Sequence, residues 1–290
     1  MSTDASHKGV KVLVTGANGF MGSHLMEYLL GKGDVSVFGL VRSRSDDQEK
    51  IQHLTENPNL KLLECDLTDT QTVTSAMENI VPDYIFHLAA QSFVPVSWSN
   101  PQQTIHINVI GAVNLLEAVR KHAPEARVFM CGSAEEYGLV PLERGPIKET
   151  DPLEPNSPYG ASKVAQELFA KVAFQAYGTK VCLARPFAHE GPRRGKEFAT
   201  SDFALQIIAI ERGARKEPII YYGNLESFRD YTHVLDMVRM YEELMHTFVP
   251  GEAYNLSSGR ESSIKDVIET YIKVSGLKGV RLERNPKFTR

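Results

Sequence analysis

The sequence predicts an α/β fold: a doubly wound parallel sheet followed by a smaller C-terminal domain. Strand-like and helix-like runs alternate along the first 186 residues, a glycine-rich loop joins the first strand to the first helix, and the alternation loosens after Phe187. Such alternation means parallel strands joined by helical crossovers, with helices covering both faces of the sheet.

The elements follow in order. Lys11 to Thr15 is a short apolar strand, and Ser23 to Leu30 an amphipathic helix. Val35 to Val41 and Leu60 to Cys65 read as the next two strands. Asp69 to Ile80 has helical spacing, with the Thr68 hydroxyl as its expected cap. Tyr84 to Leu88 is a strand, Thr104 to His122 a long helix and Arg127 to Cys131 a strand. Tyr159 to Tyr177 is a helix and Lys180 to Ala184 a strand. Pro152, Pro155 and Pro158 stiffen the loop before Tyr159, which is expected over the carboxyl edge of the sheet. Residues 1–186 are expected to form one domain, rejoined by about 218–248, and residues 187–290 mainly a second.

Composition narrows the class. With 42% hydrophobic and 23% charged residues in 290, the chain has ordinary globular composition rather than that of a disordered tract. A net charge of -4 and a pI near 6.2 argue against a nucleic-acid partner. No apolar run approaches the roughly 20 residues needed to cross a bilayer. The polar start, Met1 to Gly9, lacks a signal-peptide core, so a cytoplasmic protein without a membrane partner is expected. Cys65, Cys131 and Cys182 are far apart and lack C-x-x-C spacing, which predicts buried free thiols, with neither a disulfide nor a metal site.

Thr15-Gly16-Ala17-Asn18-Gly19-Phe20-Met21-Gly22 carries the first functional signal. Gly16 allows the tight turn, Gly19 lets backbone approach a pyrophosphate, and Gly22 permits close helix–strand packing. The helix that follows offers free N–H groups and a positive dipole end to phosphate. Placed between the first strand and first helix, this is a Rossmann-type dinucleotide loop. At the end of the second strand, Val41-Arg42-Ser43-Arg44 precedes the acids Asp46 and Asp47. A cation there suits the 2′-phosphate of NADP, with Arg42 as the candidate, whereas NAD enzymes place an acid at that point. NADP is the expected cofactor, with NAD as the alternative.

Tyr159 and Lys163 lie four apart at the start of a helix, so both project from one face. A nearby ammonium and an oxidised nicotinamide would favour the phenolate, making Tyr159 a proton shuttle near neutrality. Ser133, just beyond the strand ending at Cys131, can polarise a substrate carbonyl.

These residues together resemble the extended short-chain dehydrogenase/reductases, over nearly the whole chain. The likeness is carried by Thr15 to Gly22, Asp66-Leu67, His87-Leu88-Ala89-Ala90, Asn108, Ser133 and Tyr159-Gly-Ala-Ser-Lys163. It implies that Asp66 and Leu67 face the adenine and that Leu88, Ala89, Ala90, Gln91 and Ser92 line the cofactor, with Ser92 also touching substrate. It further implies that Tyr159 is the acid/base and that Lys163 holds the ribose and tunes Tyr159.

Finer signals divide between two nucleotide-sugar branches. Phe203 to Ile207, Gly223 to Glu226 and Arg229 to Thr232 resemble GDP-6-deoxy-D-mannose reductases. Ala90-Gln91-Ser92 and His189 to Gly195 resemble GDP-mannose 4,6-dehydratases, which nominates His189 and Arg194 as NADP contacts. Arg229 would face the substrate diphosphate, the alternative being an ion pair with Asp230. Glu135 occupies the dehydratase base position, but Ala134 stands where dehydratases of this kind carry Asp or Ser. A methyl group donates no proton, so the main expectation is reduction of the 4-keto group of a nucleotide-linked 6-deoxy sugar. A 4,6-dehydratase or epimerase is the alternative, and an NADP-binding regulator without turnover a more distant one. Ala188 replaces the usual Asn of a Phe-Asn-His segment, and the end at Arg290 suggests a shortened C-terminus. By analogy with relatives, a homodimer is expected through the helices near Thr104 and Tyr159.

Overall fold

The computed structural model describes residues 9–43 and 48–286. Arg44, Asp46 and Asp47 lie outside the described residues. The chain opens with β1 (Val10–Thr15), α1 (Phe20–Leu30), β2 (Val35–Val41), β3 (Leu60–Glu64), α2 (Thr70–Ile80) and β4 (Tyr84–His87). It continues through α3 (Val94–Ser99), α4 (Pro101–Ile105), a π turn (His106–Ile110), α5 (Gly111–His122), β5 (Arg127–Cys131), α6 (Pro158–Tyr177) and β6 (Lys180–Pro186). Then come β7 (Ala188–Glu190), α7 (Ala199–Glu211), β8 (Ile219–Tyr222), β9 (Phe228–His233) and α8 (Val234–Thr247). The chain closes with β10 (Ala253–Leu256), β11 (Glu261–Ser263), α9 (Ile264–Ser275) and β12 (Arg281–Arg284).

The first unit comprises residues 1–186 and 234–256. Its seven strands are all parallel, in the order β10-β6-β5-β4-β1-β2-β3. Strand order reverses between β1 and β4, and crevices at such switch points are where doubly wound sheets take their ligands. The strands are Val/Ile/Leu/Phe-rich because helices bury both faces; Val12, Val14, Val37, Phe86 and Phe129 lie in one apolar cluster and Leu13, Leu40, Ile85 and Val128 in the other. The return to this unit begins at 234, not near 218. The apolar stripe of α8 (Met237, Val238, Tyr241, Leu244, Met245) packs into the first cluster, whereas β8 and β9 pair within the second unit.

Local chemistry moves some boundaries. Asp69 caps α2 by accepting Gln71 N–H at 2.9 Å, while the Thr68 hydroxyl, the expected cap, instead donates to Asp66 Oδ1 at 2.8 Å. The helical run expected from Thr104 starts at Pro101, capped by Asn100, and passes through the π turn before α5. α6 is capped by Ser157, whose hydroxyl accepts Gly160 N–H, carries Pro158 in its first turn, and ends at Gly178 with φ 72°. Cys65 and Cys182 are buried free thiols; Cys131, ending β5 at the carboxyl edge, is only half-buried. Among the described residues, no helix is long and apolar enough to cross a membrane.

The second unit comprises residues 187–233 and 257–290. It holds a three-stranded sheet, β11-β9-β7, and the parallel pair β12-β8. Phe203 and Ile207 of α7, Ile220 of β8 and Ile268 of α9 form its small core.

Candidate active site

The turn after β1 is built around its glycines. Gly16 has φ +67°, and a Cβ there would lie 2.9 Å from Ala89 N and Cα. A Cβ on Gly22 would lie 2.2 Å from the Gly16 carbonyl oxygen. Only bare backbone allows the loop to close this tightly and leave the start of α1 open, so the loop fits a dinucleotide pyrophosphate. Asn18, Gly19, Phe20 and Met21 are half-buried around it.

Thr15 ties this loop to β4. Its Oγ1 accepts Leu88 N–H at 3.1 Å and Ala89 N–H at 3.0 Å, so its own hydrogen points to His87 Nδ1, 3.0 Å away. That places the His87 proton on Nε2. Burial holds this imidazole neutral, pushing its pKa down to about 3, with the Lys163 charge acting in the same direction. The chain then passes Ala90 to Gln91, whose N–H donates to Asn108 Oδ1 at 2.8 Å. Asn108, carried inward on the π turn, donates to Gln91 O at 3.0 Å and to Ser162 Oγ at 2.9 Å. The segment expected to line a cofactor is thus fastened from β1 on one side and from α6 on the other. Ser92 is exposed beside it.

Ser133, Tyr159 and Lys163 meet at the carboxyl end of β5, all buried. Ser133 Oγ accepts Glu135 N–H at 3.1 Å and pairs with the Tyr159 phenol. Lys163 Nζ donates to Cys131 O at 2.8 Å and to Gln166 Oε1 at 3.0 Å. Burial pushes the Tyr159 phenol well above its ordinary value, with Ser133 pulling the other way. Burial also lowers the Lys163 ammonium. The expected tuning of the phenol by the ammonium is therefore not built into a direct bond. Lys163 is spent on Cys131 and Gln166, and the hydroxyl of Ser133 is the phenol's nearest help. Glu135 is half-buried beside them.

The remaining predicted residues divide by place. Arg42 is exposed just past β2, and its charge reaches Asp66. Burial raises the Asp66 carboxyl, but the Thr68 N–H and hydroxyl, with the charges of Arg42 and His106, outweigh it and hold the group below its usual range. Leu67 is buried in the core behind β3. In the second unit, His189 Nδ1 lies 2.8 Å from Phe187 O, and burial together with the Arg194 charge drives its pKa down to about 4. Arg194 Nε lies 3.6 Å from Glu190, and its guanidinium stacks on Phe198 at 3.7 Å. Arg229 is exposed on β9 and donates to Phe228 O at 2.7 Å. Asp230 turns to Ser258 N and Oγ, so the alternative Arg229–Asp230 pair does not form. Sequence reasoning missed Thr15, His87, Gln166 and Glu136 as site residues. Each is polar inside an apolar run or beside a stronger signal, and only the parallel register reveals what it touches.

The comparisons with known proteins agree with this geometry. The family model described as GDP-mannose 4,6 dehydratase matches residues 13–287. A GDP-mannose 4,6-dehydratase from Yersinia enterocolitica is 35% identical over 275 residues, covering 92% of this chain and 72% of that protein. Among solved structures, dTDP-glucose 4,6-dehydratase from Bacillus anthracis in complex with NAD has a TM-score of 0.84 at 25% identity, covering 97% of this chain and 85% of that one. RMD from Pseudomonas aeruginosa complexed with NADPH has a TM-score of 0.80 at 26% identity, covering 97% and 88%. An extended short-chain dehydrogenase/reductase fold, the glycine loop and a Ser133–Tyr159–Lys163 cluster come together in one enzyme, and the chain belongs to the GDP-mannose 4,6 dehydratase family.

Proposed function

We propose that this enzyme is an NADP-dependent 4,6-dehydratase acting on a GDP-linked hexose of the GDP-mannose type. The family match over residues 13–287 carries this reading, and it reverses the order of preference drawn from sequence, which put 4-keto reduction first. A nicotinamide held by Leu88 to Gln91 and Lys163 would supply reversible hydride chemistry, so that the hydride lost at carbon 4 would end at carbon 6 and the cofactor would leave the cycle unchanged. Tyr159 Oη takes the proton of the sugar's 4-hydroxyl as the phenolate, the form that a bound oxidised nicotinamide would favour over the neutral phenol of the free protein, and the Ser133 hydroxyl holds that oxygen. Glu135 takes the proton at carbon 5. With a methyl at Ala134, the same Glu135 carboxyl, or a water beside it, protonates the departing 6-hydroxyl. Gly16, Asn18, Gly19, Phe20, Met21 and Gly22 hold the pyrophosphate, Asp66 and Leu67 the adenine side, and Leu88 to Gln91 and Lys163 the ribose and nicotinamide side. Arg42 takes the 2′-phosphate, supported by its place past β2 and by the NADPH-bound neighbour. His189 and Arg194 serve the cofactor, and Ser92 and Arg229 the nucleotide-sugar.

Ala134 supports a second reading, in which the enzyme reduces a 4-keto-6-deoxy sugar and needs no leaving-group acid. Incubation with GDP-mannose and NADP+ separates the two. A GDP-4-keto-6-deoxy product supports dehydration; NADPH oxidation only when that keto sugar is supplied overturns it in favour of reduction. Tighter binding of NADP+ than of NAD+ tests Arg42. We also propose a homodimer through α6 and its neighbours, where Leu168 and Val172 are 54% and 53% exposed and Ile105 is 50% exposed. A monomeric sedimentation coefficient would refute it.

A further inference from the structure

Glu136 follows Glu135 in sequence and takes no part in the chemistry above. It is 0% exposed, and its Oε1 accepts the backbone N–H of Ser133 at 2.7 Å. Beside it, Arg185, 5% exposed, forks onto Glu167, with Nε to Oε2 at 2.8 Å and NH2 to Oε1 at 2.6 Å. Arg185 NH1 is spent on Tyr137 Oη at 2.7 Å and Glu149 O at 3.0 Å. Glu136 Oε2 lies 3.9 Å from Arg185 Nε, too far for a hydrogen bond, and is buried without a partner. The Glu167 carboxyl, bonded to the same Arg185 Nε, is close enough to act on it.

A guanidinium with four of its five N–H donors bonded elsewhere and none to Glu136, facing two buried carboxyls, leaves Glu136 without a bonded counter-charge, and burial penalises such a charge heavily. None of the other groups that face Glu136 gives its Oε2 a hydrogen bond. Lys163 spends its ammonium on Cys131 O and Gln166, and Tyr159 and Cys131 carry protons that burial retains.

We propose that Glu136 is a positioning residue for Ser133, held as a neutral carboxylic acid whose Oε2 hydrogen is shared with Glu167. The proton supplies the bond that Oε2 lacks, and Oε1 stays free to anchor Ser133 N–H. Ser133 Oγ is thereby kept where it accepts Glu135 N–H and meets the Tyr159 phenol. This rests on the reading that Ser133 serves the reaction. Burial, then the Glu167 charge, raises the Glu136 carboxyl to about 8, against the Ser133 N–H and the Arg185 charge. The folded protein therefore holds a proton that the unfolded chain releases above about 4.5, so this contribution to stability is complete at low pH and is lost as pH rises through about 8.

The test uses the intact protein with 13C-labelled glutamate carboxyls and an assigned Ser133 amide, followed from acid to alkaline pH. One carboxyl should titrate well above the usual glutamate range and that titration should vanish in Glu136→Gln, and the wild-type Ser133 amide shift should follow with the same midpoint. Glu136→Leu should lower kcat on GDP-mannose on the order of 100-fold, the scale of a small misplacement near the chemistry, with KM little changed. Glu136→Gln keeps Oε1 and replaces O–H by N–H, and should restore the rate. An ionised Glu136 at neutral pH, a Ser133 amide indifferent to the titration, or a Gln variant as impaired as Leu would each overturn the proposal. Wild-type protein without turnover would instead remove the dehydratase reading, while the two titrations still decide where the proton sits.

Discussion

The two units of the chain hold their candidate residues in opposite ways. In the first, Ser133, Tyr159 and Lys163 are buried, and Lys163 and Ser133 are fixed by bonds to backbone atoms at the end of β5. In the second, His189 and Arg194 are half-buried, and Arg229 is exposed and held by the carbonyl of its own neighbour. A buried, bonded group keeps a geometry fine enough for proton transfer; an exposed cation adapts to a charge it must only grip. Bond-making is therefore expected to reside in the parallel-sheet unit, and Arg229, on the function proposed above, to contribute affinity alone.

The sharpest way to break this contrast is Tyr159→Phe. Losing the proton shuttle should lower kcat roughly 10³-fold while dinucleotide affinity, measured by fluorescence titration, is kept. Retained turnover would remove Tyr159 from the mechanism. Glycines give the next largest contrast. Gly22→Ala puts a methyl 2.2 Å from the Gly16 oxygen and should cost about 3 kcal/mol in denaturant unfolding, with dinucleotide binding lost. Gly279→Ala in the second unit meets nothing within 4 Å and carries only its φ of +70°, so about 1 kcal/mol is expected. Equal costs would mean that the loop relaxes. Arg229→Ala should raise KM for the nucleotide-sugar roughly tenfold with kcat nearly unchanged, the signature of uniform binding. A fall in kcat alone would move Arg229 into the chemistry.

Much of the first unit was legible because parallel strands covered on both faces read as unbroken apolar runs. Lys11 to Thr15, Val35 to Val41 and Arg127 to Cys131 needed no tertiary knowledge. The gathering of Ser133, Tyr159 and Lys163 followed from one strand end and one helical turn. What stayed hidden depends on competition between neighbours. Thr68 and Asp69 were equally able to cap α2 until Asp66 engaged Thr68. The π turn that brings Asn108 inward breaks the 3.6-residue period with no glycine or proline inside it, and Gly111 just after it reads as an ordinary helical residue. Three-residue strands such as β7 and β11 are too short for any alternation to show. Nothing in the run Ser133-Ala134-Glu135-Glu136-Tyr137 marks Glu136 as buried; its partners Arg185 and Glu167 arrive from β6 and α6.

A change spread over several pH units tests whether burial in the first unit controls protonation as tightly as it controls geometry. His87 is 1% exposed, and its pKa falls to about 3 from 6.5. The unfolded chain then binds a proton that the folded protein refuses, so stability is complete above 6.5 and declines as pH falls toward 3, by about 1.4 kcal/mol per pH unit. The Glu136 carboxyl contributes the opposite slope between about 4.5 and 8, so wild-type stability alone should change little where the windows overlap. The difference between wild type and His87→Gln isolates the histidine, because the glutamate is common to both. That difference, measured by urea unfolding, should change with pH by about 1.4 kcal/mol per unit below 6.5 and be flat above it. A difference that is flat throughout would mean that water or a shifted backbone reaches Nε2, and that the sheet edge at the end of β4 is looser than its hydrogen bonds imply.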